Sequence, residues 1–142
     1  MGGEKTLNET LLRIVAERLG SLSIVDTVRV FPYEKPDAVV AEFVADYYPE
    51  DVRRVELECR VYTNGDFSIT YREVRSSTDW MARWDRHANP HNNRDHYHEP
   101  PRARTDDAVD ASYPDDVLEV VSVVLSDVDD RLGDVWDDTP AE

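Results

Sequence analysis

Cysteine is almost missing from this chain. Cys59 stands alone, so no disulfide can close within it. Lysine is almost missing too, at Lys5 and Lys35, so arginine carries nearly all the positive charge. No apolar run approaches the ~20 residues of a membrane-spanning helix. The opening MGGEKTLNET is polar, so no signal peptide is expected. Histidine is absent everywhere except in Trp80 to Pro101, which holds His87, His91, His96 and His98.

Acid is abundant: 142 residues carry a formal charge of −15, with a pI near 4.5. Such a surface repels itself in dilute buffer. In molar salt the Debye length is roughly 3 Å and the repulsion is screened. The composition therefore predicts a halophilic, archaeal, cytoplasmic protein. Strong apolar patterning argues against a disordered acidic chain.

The pattern begins at Thr6-Leu7-Asn8-Glu9, which has capping-box form. Leu11, Leu12, Val15 and Leu19 follow at helical spacing, so a helix is expected over Leu7–Leu19, stopped by Gly20. β-Branched runs predict strands over Ile24–Tyr33 and Ala38–Tyr48. Arg53–Tyr62 alternates: Val55, Leu57, Cys59 and Val61 point one way, Arg54, Glu56, Glu58 and Arg60 the other. Cys59 thus reads as a small core residue. Asn64-Gly65 marks a hairpin. A two-residue loop would set an apolar face against a polar one. A three-residue loop, Thr63-Asn64-Gly65, pairs Val61 with Phe67, Cys59 with Ile69 and Leu57 with Tyr71, and a one-residue slip would flip every side chain. The longer loop is therefore expected, with Gly65 left-handed in a bulge. Phe67–Val74 and Asp79–Asp85 complete five strands. Trp80 and Trp84 share a face of the last one, where core packing competes with base stacking.

From His87 to Ser112 no period is visible, and a loop is expected there. Ser112 reads as the cap of a last helix, with Pro114 in its first turn. Val117, Val121, Val124, Val128 and Leu132 form its stripe, widened by Leu118 and Leu125. The expected fold is α+β: a five-stranded, mostly antiparallel meander with an N-terminal helix and a long C-terminal helix on one face. Residues 1–133 would form a single domain and 134–142 an acidic tail, although Val135 and Trp136 could prolong the packing.

Candidate chemistry is concentrated in Trp80–Pro101. His96 and His98 alternate and would share a face of an extended segment. His91, His96 and His98 are candidates for acid–base work, with Asp85 orienting an imidazole. Arg83, Arg86 and Arg94 are candidates for binding phosphate, since guanidinium forks suit its oxygens. His87, His96 and His98 could instead ligate a divalent metal; no cofactor is otherwise indicated. A solvated polar loop, with arginines paired to local aspartates, accounts for the same residues.

Arg83-Trp84-Asp85, Pro90-His91 and His96-Tyr97-His98, followed by an acidic segment and a valine-rich helix, resemble the TumE-type toxin family over the second half of the chain. Asn89 precedes Pro90 where that family carries alanine, and Arg86-His87 lengthens the link. The resemblance implies an α+β domain, the toxin half of a two-gene module, a helix-turn-helix antitoxin as partner, and a ribonuclease-like action on RNA. Two other classes fit the residues: a non-catalytic interaction module, expected to be a homodimer, and a metal-binding domain. No membrane association is expected.

Overall fold

The computed structural model describes residues 6–31, 38–87 and 94–137. Seven strands form one sheet in chain order, each antiparallel to the next: β1 Val25–Phe31, β2 Ala38–Phe43, β3 Val52–Val61, β4 Phe67–Arg75, β5 Trp80–Arg86, β6 Asp95–His98 and β7 Ala108–Asp110. Helices α1, Glu9–Gly20, and α2, Val117–Asp137, flank this meander in sequence. The expected α+β class and both helices are present, but the sheet has seven strands rather than five. The two extra strands lie within the stretch expected to be loop. With four and three residues, they are too short to carry an apolar period. β6 is also polar on both faces, DHYH, so no apolar period marks it.

The β3–β4 hairpin has the three-residue register argued from its faces. Val61 pairs with Phe67, Cys59 with Ile69 and Leu57 with Tyr71, and Gly65 takes a φ of +89°, where a side chain would be strained.

The cap of α1 is Asn8, not Thr6: its side-chain oxygen accepts from the Leu11 N–H at 3.0 Å. Thr6 is engaged elsewhere, because its carbonyl accepts from the Thr63 N–H at 2.7 Å while Asn8 N–H donates to Val61. Residues before the helix thus run beside the end of β3 and delay its start. The cap of α2 likewise shifts from Ser112 to Asp116, whose carboxylate accepts from the Leu118 N–H at 3.0 Å.

One core joins the two helices to one face of the sheet. Leu12, Val15 and Leu19 of α1 and Val117, Val120, Val121, Val124, Val128 and Val135 of α2 are buried there. So are Val39, Ala41, Leu57, Cys59, Ile69, Tyr71 and Trp84. Valine costs up to about 0.7 kcal/mol of helix propensity per residue, while burying it stabilises by about 1.5–3 kcal/mol. Packing therefore decides that α2 is helical. Cys59 has no exposure, and burial pushes its thiol up to about 12.

Within this core lies a polar chain. Arg131 of α2 grips the fully buried Glu73 through Nε–Oε2 and Nη2–Oε1, both 2.9 Å. Its guanidinium also lies 3.9 Å from the Trp80 ring centre. The Tyr71 hydroxyl donates to Glu73 Oε2 at 2.8 Å and contacts the Tyr48 hydroxyl at 2.9 Å. Burial raises both phenols, Tyr48 to about 12. R131M leaves the Glu73 carboxylate buried without its fork, and we expect a loss of about 3–5 kcal/mol. The double variant E73Q/R131M should recover part of it; urea titration in molar KCl reads both.

Candidate functional site

β5 and β6 alternate, so their residues divide between the two faces of the sheet. The register pairs Arg83 with His98, Trp84 with Tyr97, Asp85 with His96 and Arg86 with Asp95. Trp84, Tyr97, Arg86 and Asp95 face the helices. Arg83, Asp85, His96 and His98 face the opposite side, on which neither α1 nor α2 packs. There they line a cleft of about 410 Å³ with His87, Thr105 and Ala108.

Histidine 98 is the most enclosed of the cleft imidazoles, with its ring held at both ends. Nδ1 lies 3.0 Å from the Arg104 carbonyl and Nε2 2.9 Å from Asp85 Oδ2. Both partners are acceptors, so both bonds form at once only when an extra proton is held on the ring or on Asp85. The other Asp85 oxygen lies 3.7 Å from His87 Nδ1. His87 and His96 lie ring beside ring, centroids 5.5 Å apart and tilted by 33°. His96 Nε2 is 3.8 Å from the exposed Asp110 carboxylate of β7. Arg83 makes no ion pair among the described residues, so its fork is open to the cleft.

Three of the four histidines are thus brought together, with Asp85 between two of them and Arg83 beside them. His91 lies outside the described residues. Arg86 and Arg94 are elsewhere. Arg86, on the helix side, forks onto Asp95 at 2.7 and 2.9 Å and donates to the carbonyls of Tyr113 and Pro114. Arg94 pairs with the buried Asp66 at 2.7 Å and reaches the Asn64 carbonyl. The structure therefore separates these two arginines, grouped with Arg83 in the sequence, from the cleft. Trp84 and Trp80 belong to the helix-side core, Trp84 donating to Asp127 at 3.0 Å. Among the described residues, no group of three or more His, Cys, Asp or Glu is arranged to hold a metal ion.

Sequence reasoning missed Thr105, Ala108, Asp110 and the Arg104 carbonyl. Asp110 stands opposite His96 only because β7 pairs with β6. A main-chain carbonyl carries no sequence signal at all. Ala103, with a φ of +50°, forms the turn that presents the Arg104 carbonyl, and alanine there gives no hint of a left-handed backbone.

The Arg86–Asp95 fork underlies the cleft from the other face. Burial alone would raise the Asp95 carboxyl, but the Arg86 hydrogen bonds, the Tyr113 N–H and the Arg86 and Arg94 charges hold it below its ordinary 3.8. Hydrogen bonding to Asp95 in turn raises Arg86 against the opposing effect of burial. A depressed carboxylate contributes stability above its unfolded value, and the contribution is lost as pH falls through the folded one. D95N should therefore cost about 3–5 kcal/mol at neutral pH, by leaving Arg86 buried without its counter-charge. Its urea midpoint should also fall less steeply than that of the unaltered protein below about pH 4.

A sequence model of the family described as Toxin TumE matches residues 11–132, most of the chain. No curated protein and no solved structure matches it. No helix among the described residues is long and apolar enough to cross a membrane.

Proposed function

This chain belongs to the Toxin TumE family, and from that premise we propose that it is the toxin half of a toxin–antitoxin pair and cleaves RNA by histidine acid–base chemistry. The observation that carries this reading is the meeting of His87, His96, His98, Asp85 and Arg83 in one cleft on the uncovered face of the sheet. Its expected partner is an antitoxin, and its expected setting is a salt-rich cytoplasm, in keeping with the charge of −15.

Arg83 would receive the scissile phosphate, because it has an open fork and guanidinium geometry matches two phosphate oxygens. His96 and His87 would act as the proton-transfer pair. One takes the proton of the ribose 2′-hydroxyl as its oxygen bonds to phosphorus. The other gives a proton to the departing 5′-oxygen as that P–O bond breaks, leaving a cyclic phosphate and a free hydroxyl. His98 has both nitrogens engaged, so it would position Asp85, which in turn orients His87.

General acid–base catalysis contributes about 10²–10⁴-fold. H96A and H87A should each lose cleavage by that order in molar KCl, with thermal unfolding unchanged. R83A should raise KM. Full activity in H96A rejects the assignment.

A further inference from the structure

The cleft does not end at β5. Its register continues over β4 on the uncovered face: Thr70 stands opposite Arg83, Ser68 opposite Asp85 and Arg72 opposite Met81. Cross-strand neighbours have Cβ atoms about 5 Å apart, and diagonal ones about 7–8 Å. Ser68, Thr70 and Arg72 therefore form a row directly flanking the residues that line the cleft. Ile69, Tyr71 and Glu73, which alternate with them, point into the helix-side core.

Charge divides this face. Over β2 and β3 it carries Glu42, Glu56 and Glu58, with Arg54 3.7 Å from Glu56 and Arg60 tied to Glu58 at 2.8 Å. Over β4 and β5 it carries Arg72, Arg83 and two hydroxyls, with Asp85 engaged by His98. On a chain of net charge −15, Arg72 and Arg83 offer an anion two guanidiniums here, with Glu56 opposite Arg72 and Glu58 opposite Thr70 on the flanking strand. Arg72 touches Asp79 at 3.2 Å, but both side chains are at least a third exposed. Such a surface pair contributes little and yields to a better anion.

We infer that this row is the extension of the candidate site, on which a single-stranded RNA lies flat with a flanking phosphate on Arg72 and its sugars against Ser68 and Thr70. The inference rests on the RNA reading proposed above. Serine and threonine are short, so a ligand must lie against the sheet to reach them. A flexible strand can do so over several nucleotides, as on other sheet platforms, while a duplex touches a flat face along a narrow line.

The test is binding, which does not need turnover. H96A protein keeps the strand intact, and fluorescence anisotropy follows a labelled RNA of about a dozen nucleotides, as a single strand and as a duplex, in molar KCl. The single strand should bind more tightly than the duplex. Adding R72A should weaken strand binding about tenfold, and T70A about threefold. R18A, which removes a charge from the helix side, should change nothing. Equal loss in R72A and R18A, duplex binding as tight as the strand, or no strand binding overturns the inference; the last is the result expected if a protein occupies this face instead. If R72A weakens the strand selectively while the unaltered protein cuts no RNA, the surface stands and the acid–base reading falls.

Discussion

The buried fork between Arg86 and Asp95 is the constraint on which the candidate site depends. These two residues are direct partners across β5 and β6, so their ion pair specifies the register of the two strands. Slipping that register by one residue would turn His96 and His98 toward the helices and Tyr97 toward the cleft. It would also leave a guanidinium and a carboxylate in the core without each other, a cost of several kcal/mol. The same fork reaches the next element: Tyr113 N–H donates to Asp95 Oδ2 at 2.8 Å, and Arg86 takes the carbonyls of Tyr113 and Pro114. The Tyr113 hydroxyl closes the set by donating to the His96 carbonyl at 2.8 Å. Charge buried on one face therefore aims imidazoles on the other.

A second buried pair does for α2 what the first does for β6. A helix whose core contacts are nearly all valine could slide along a sheet at small cost, because its knobs are alike. Glu73 and Arg131 remove that freedom, since their bidentate geometry has one solution. Trp84 and Asp127 add a second tie a turn earlier on the same helix. With α1 and α2 both committed to one face, the other is left to the polar rows that reach from Glu58 through Thr70 and Arg83 to His98.

How much of this could be read in the sequence follows from the length of each signal. β3 and β4 are ten and nine residues long. Over that span Val55, Leu57, Cys59 and Val61 set both the face and the register, and even the loop length came out of matching them to Phe67, Ile69 and Tyr71. β6 and β7 offer no such span, so nothing in the sequence marks Asp95 as facing the core. The meeting of His96 with His98 was legible because alternation needs only two positions. The separation of Arg83 from Arg86 is not, because the strand expected from the sequence ends at Asp85. The next residue necessarily lies on the face of Trp84. Glu73 follows Phe67, Ile69 and Tyr71 on the apolar face and Arg131 falls three residues after Val128 on the helix stripe, so each breaks its local pattern, but with 58 positions between them neither pattern names the partner.

Strand order following chain order has a consequence for synthesis. Every ladder joins neighbours in sequence, so most pairings close short loops and carry little entropic cost. The sheet can then grow one edge at a time as the polypeptide leaves the ribosome, beginning at β1. The cleft is built from β5, β6 and β7, and its underlying fork needs Tyr113 and Pro114 besides. A nascent chain thus acquires its first four strands while still lacking every imidazole. The cleft is completed only once β6, β7 and Tyr113 have followed.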